Sequence, residues 1–161
     1  MILLLCASHA AAQAPKGAGE CRIRPGTLCA DLRLDGMDMH GANLANSQFS
    51  RSSMVGINLH EADLSEANLR QANLVRADLG DAILDDADMA GVTLAGANLA
   101  GADANGANLR AANLSGAVLK GANLRGADLT GANLSNADLR GANLELATVR
   151  SANTAGCRGC P

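Results

Sequence analysis

Three groups of side chains in this 161-residue chain could do chemistry. Carboxylates crowd its middle, where Asp63, Glu66, Asp78, Asp81, Asp85, Asp86 and Asp103 lie close together. Such a cluster can dock a basic partner or bind Ca²⁺ weakly, although Asp81, Asp85, Asp86 and Asp88 lack the spaced loop of an EF-hand. His40 and His60 are twenty residues apart. Two imidazoles near Glu61 and Asp38 could ligate a transition metal, so these histidines are the candidate metal ligands; none is needed to explain them, because exposed histidines are common. Of the five cysteines, four remain if the apolar leading segment with Cys6 is removed: Cys21, Cys29, Cys157 and Cys160 flank the middle of the chain, and an even number in this placement suits disulfides in an oxidising compartment. Pro161 after Cys160 excludes a c-type haem signature.

Catalysis finds no support in the residue pattern. There is no nucleophile elbow, no phosphate loop, and no pairing of His with Cys or Ser at a usable spacing. The glycines recur every five residues, as tight corners require, and do not form a GxGxxG run. Exposed carboxylates on a convex surface lack the burial that perturbs a pKa. The expectation is a protein that is not an enzyme and has no cofactor. A net charge of −3 gives no general attraction to nucleic acid or anionic lipid.

What positions these groups is a repeat. The chain has no Trp or Tyr and one Phe, so its core must be assembled from many small, equivalent contributions. Cut into fives from Met37 to Gly156, it gives 24 windows without insertion, and the middle residue is large and apolar in 22 of them. Two residues earlier, 19 of the 24 are Ala; between the two, 18 are Asn or Asp. A period of five fits neither a helix nor a flat strand. It fits a chain that turns a corner every five residues, burying the Leu and the Ala and exposing the other three. Ala104 interrupts the Leu column and predicts a small void.

Stretches such as Ala122-Asn123-Leu124-Arg125-Gly126-Ala127-Asp128-Leu129-Thr130-Gly131 resemble the pentapeptide-repeat family. That resemblance covers about three-quarters of the chain. It implies an all-β fold, the right-handed quadrilateral β-helix, with four five-residue sides per coil. The expected organisation is one domain of about six coils stacked at the inter-strand spacing. Residues 37–156 form the β-helix, 13–36 an N-terminal cap with a cysteine pair, and 157–161 a C-terminal tail carrying Cys157-x-x-Cys160. With the ends of a rod too far apart to share a site, the reachable pairings are Cys21–Cys29 and Cys157–Cys160. Residues 1–12 read as a signal peptide: an apolar run precedes small residues, without a leading Lys or Arg, as in a leader truncated at its start. No stretch reaches the ~20 apolar residues of a membrane span.

If residues twenty apart stack, the charges sort onto four faces. The face of windows beginning at 42, 62, 82, 102, 122 and 142 carries Asp63, Glu66, Asp85, Asp86, Asp103 and Glu145 against Arg125 alone. The preceding face adds Asp38, Glu61, Asp78, Asp81 and Asp138 against Lys120 and Arg140. The next is mildly basic, and the fourth carries only Arg76. The expected function is a non-catalytic, exported structural or protein-binding solenoid, periplasmic or secreted, that docks an unknown protein partner on its acidic N-terminal half. Direct nucleic-acid binding is not expected. The alternative, suggested by family members that confer quinolone resistance, is a cytoplasmic DNA mimic regulating a type II topoisomerase. Against it, the acidic faces turn mixed in the second half.

Overall fold

A computed structural model describes residues 24–161. Its backbone pairs each outward Asn/Asp position with the one twenty residues later, always in parallel, from Leu28↔Gln48 to Asp138↔Arg158. A turn separates successive bridges, so each twenty-residue coil has four sides.

One side shows why the repeat reads Ala-Asn-Leu-x-x. Ala67 N–H donates across the corner to the Leu64 carbonyl (3.0 Å), Asn68 down to Ser47 (2.8 Å) and Leu69 up to Asp88 (2.8 Å). Gln71 N–H donates up to Ala90 (3.0 Å), and Arg70 N–H donates to the Asn68 side-chain Oδ1 (3.1 Å). All five backbone donors are therefore used, and the fourth depends on a short side-chain carbonyl or carboxylate two residues earlier. This requirement selects Asn or Asp.

The last residue of each side takes a left-handed φ. Glycine fills many of these corners, as at Gly126 (φ +69°). Inside, the central and Ala positions form one core from Cys29 to Leu139, nearly all without solvent exposure. Each buried Leu contributes roughly 1.5–3 kcal/mol relative to exposure. Coil stacks only on coil, so the rod's stability is close to a sum of neighbour terms.

The coil extends past both expected bounds. Residues 27–36, read as cap, already carry the bridges Leu28↔Gln48 and Arg33↔Ser53, and Cys29 and Leu34 occupy the inner column. Those two windows lack the Ala and the Asn/Asp, yet keep an inward side chain and a left-handed corner at Asp31 and Gly36. At the other end Arg158, read as tail, still bridges to Asp138. The signal-peptide segment and Cys21 lie outside the described residues.

Candidate functional site

The register places Asn43, Asp63, Ile83, Asp103, Asn123 and Asn143 in one column. Asp63, Asp85 and Asp103 thus share a face, bounded on one edge by corners Glu61 and Asp81 and on the other by Glu66 and Asp86. Sequence sorting of the charges is reproduced by this stacking. Asp78 falls on the neighbouring face, in the column Asn58, Asp78, Asn98.

What distinguishes these acids is the absence of cationic partners. Elsewhere, apart from Asp38 and from Glu61, which faces only His40 and His60, the described carboxylates are neutralised: Asp31 by Arg51, Asp35 by Arg33, Asp88 by Arg70, and Asp128 by Arg110. Asp138 is held by Lys120 and Arg140, and Glu145 by Arg125. The Thr130 hydroxyl and the Arg110 guanidinium pull the Asp128 carboxyl down to about 2. Among the described residues, Asp63, Glu66, Asp78, Asp81, Asp85, Asp86 and Asp103 have no Lys or Arg within salt-bridge reach. Their only basic neighbour is His60, 4.0 Å from Asp81.

One member is more perturbed than a convex surface suggests. Partial burial, and then the neighbouring carboxylates of Asp103 and Asp86, push the Asp85 carboxyl up. Its Oδ1 is buried without a hydrogen-bond partner. The sequence-based expectation that no carboxylate here would be perturbed is thereby corrected: stacking at coil spacing crowds like charges even on an outer face.

The pentapeptide-repeat description matches in eight copies, over residues 29–60, 42–81, 72–110 and 107–145. The chain belongs to the pentapeptide-repeat family. That family's fold is the right-handed quadrilateral β-helix, in agreement with the four-sided coil. HetL, a pentapeptide-repeat protein involved in heterocyst differentiation regulation in the cyanobacterium Nostoc sp. strain PCC 7120, is 28% identical, with 81% of this chain and 79% of that one covered and a TM-score of 0.31. Rfr23 from the cyanobacterium Cyanothece 51142 is 28% identical over 81% of this chain and 90% of that one, TM-score 0.43. QnrB1, a plasmid-mediated fluoroquinolone resistance protein, is 19% identical over 81% and 73%, TM-score 0.45. No curated protein matches the chain.

One feature of this pentapeptide-repeat rod escapes a reading of the sequence, and it is conformational. From Asn46 to Asp86 the corners are Asn46, Arg51, Glu61, Glu66, Gln71, Arg76, Asp81 and Asp86, interrupted only by Gly56, and the non-glycines hold φ between 53° and 59°. From Gly91 to Gly131 the corners are glycine save Ala111. Left-handed conformation costs an L-residue roughly 1–2 kcal/mol, so the N-terminal half displays its charged corners against a conformational penalty.

His40 and His60 do stack, with ring centroids 5.5 Å apart and planes within 11°. Among the described residues, no group of three or more His, Cys, Asp or Glu side chains is placed to hold a metal ion. Cys157 and Cys160 sit with sulfurs at bonding distance and Cα atoms 5.9 Å apart. No helix among the described residues is long and apolar enough to cross a membrane.

Proposed function

We propose that the rod is a non-catalytic docking module, and that its unneutralised face receives a basic segment of a partner protein. The carrying observation is the distribution of ion pairs: six carboxylates elsewhere in the described rod, Asp31, Asp35, Asp88, Asp128, Asp138 and Glu145, are matched by Arg or Lys, whereas the cluster around Asp85 has no such partner. Ile83 supports a protein partner in particular. It stands in the column between Asp63 and Asp103, 42% exposed, so an apolar point lies within a charged rim, the common anatomy of a protein interface. A partner segment with one apolar side chain flanked by Lys or Arg fits it. A DNA mimic would want acid continued along the rod, yet beyond Asp103 the described acids are paired.

The export reading belongs to the same proposal. It is supported by the apolar opening Met1–Ala14 followed by small residues, and by the approach of Cys157 to Cys160, a pairing that persists in oxidising compartments.

Affinity capture from the periplasm or medium of the native host, with wild type beside Asp85→Lys/Asp86→Lys, tests the docking. A partner retained by wild type and lost by the reversal is expected; equal retention would sink the reading. Intact mass under non-reducing conditions tests export. Loss of the first ten to twelve residues or so and oxidised cysteines are expected, whereas a full-length chain with free thiols in the cytosol contradicts it. Gyrase inhibition at micromolar protein would favour DNA mimicry instead.

A further inference from the structure

We propose that the Cys157–Cys160 pair is a redox-sensitive clasp, whose disulfide holds the side beginning at Cys157 shut over the core. It depends on neither the acidic face nor the export reading.

The clasp follows the repeat for two residues and leaves it at the third. Cys157 stands in the Ala place and Arg158 in the Asn/Asp place, one coil beyond Ala137 and Asp138. Arg158 keeps the ladder: its N–H donates to the Ala137 carbonyl at 2.9 Å, and its carbonyl accepts the Leu139 N–H at 2.7 Å. Gly159 then stands where the inward Leu belongs. Its φ is +78°, and it is the only left-handed residue among the described ones that is not a corner. A Cβ there would lie 2.8 Å from both the Arg140 nitrogen and the Leu139 carbonyl carbon. Those are backbone atoms that cannot swing aside, so only glycine fits. The chain therefore turns at Gly159, pressed onto the coil below, and brings Cys160 back to Cys157. Their Cα atoms are 5.9 Å apart, a separation that a disulfide spans without backbone movement.

The sulfurs take over the duty of the missing side chain. Leu139 has no leucine after it in its column, yet it is only 1% exposed. Cys157 and Cys160 are half-buried and pack against the core, so the bridge supplies the cover that an inward Leu gives elsewhere. No backbone hydrogen bond among the described residues holds Gly159 or Cys160. The bridge is what ties this turn down, and its partial exposure leaves it open to attack by a thiolate. A small dithiol supplies two electrons and two protons: the Cys157–Cys160 bond breaks to two thiols, and the reagent's own sulfurs join. The freed turn then leaves the coil, and the hydrogen bonds joining Arg158 to Ala137 and Leu139 open to water.

The test is residue-resolved hydrogen exchange by NMR on the purified, air-oxidised full chain, with and without a dithiol. Exchange at the Leu139 and Arg158 amides should quicken about tenfold or more on reduction. The Leu119 amide, bonded to Asp138 one coil deeper, should not change. Cys29 is also disulfide-bonded, so Cys157→Ser/Cys160→Ser isolates the clasp. That variant should exchange fast at both amides without reductant and respond no further to it. Gly159→Ala should make the Cys157–Cys160 bridge reducible at a lower dithiol concentration. Equal exchange in oxidised and reduced wild type overturns the proposal, as does peptide mapping that finds Cys157 and Cys160 unpaired in the oxidised chain. If the double-serine variant still responds to the dithiol at Leu139 and Arg158, the effect comes from Cys29 and the assignment fails.

Discussion

The side-chain amide of Asn98 donates to Asp78 Oδ1, one coil away, at 2.8 Å, while that same oxygen accepts the Gly80 backbone N–H at 3.1 Å. The pattern recurs as Asn58 to Asp38, Asn108 to Asp88 and Asn123 to Asp103. No aspartate follows another directly in any bridged column of the described residues. Each is separated by Asn, Ile, Val, Thr or Arg, so the outward ladder carries charge without stacking carboxylate on carboxylate.

Asn98→Asp breaks that spacing. It removes the amide donor and sets two carboxylates at coil distance. The expected loss is about 1 kcal/mol for the hydrogen bond with like-charge repulsion added. Asn98→Ala is free of the repulsion but also loses the acceptor of the Ala100 backbone N–H (3.2 Å), which Asn98→Asp keeps. Urea unfolding of Asn98→Asp at neutral pH and again below the carboxylate range isolates the repulsion, which should vanish in acid.

Asp85→Asn should stabilise the rod at neutral pH. Burial and the Asp103 and Asp86 carboxylates raise the Asp85 carboxyl in the folded state, so folding disfavours its ionised form. This penalty acts above the ordinary carboxylate range and vanishes below about pH 3.9, where the unfolded chain is protonated as well. Thermal midpoints should therefore rise in Asp85→Asn at pH 7 and match wild type in strong acid. The same variant should bind the basic partner less well, a trade of stability for function.

Glycine corners offer a graded test of conformation against space. At Gly126 an added Cβ would meet nothing nearer than the Gly106 nitrogen at 3.9 Å, so Gly126→Ala should cost only the left-handed conformation, roughly 1–2 kcal/mol. At Gly106 the Cβ would run into the Asp86 carboxylate. Gly106→Ala should cost more, and the excess should disappear in an Asp86→Ala background, as a double-mutant cycle will show.

Ala104 lies buried between Leu84 and Leu124 in its column. Ala104→Leu should be neutral or stabilising in chemical denaturation. A loss above about 1 kcal/mol would mean that the neighbours have already filled the place and that the new side chain overpacks it.

The period of five, and with it the inward Leu and Ala, were legible because the core admits only those two places per side. Corners that break the glycine pattern, such as Glu66 and Asp86, were legible as residues but not as left-handed ones, since conformation at a corner is imposed by the coils above and below. The first coil was misread for the converse reason. Thr27-Leu28-Cys29 and Leu32-Arg33-Leu34 lack the usual Ala and Asn, yet stacking on Gln48 and Ser53 holds them in register.

By itself, then, the sequence determined which residues point inward and which faces carry acid, because a strict repeat makes position equivalent to orientation. Tertiary structure alone decided which acids remain unneutralised. Arg70 reaches Asp88 and Arg110 reaches Asp128, each across eighteen residues, a diagonal to the next coil that the twenty-residue register does not specify. Long outward side chains choose among several neighbours, and that choice, made by reach and rotamer, leaves the carboxylates around Asp85 unmatched by any cation.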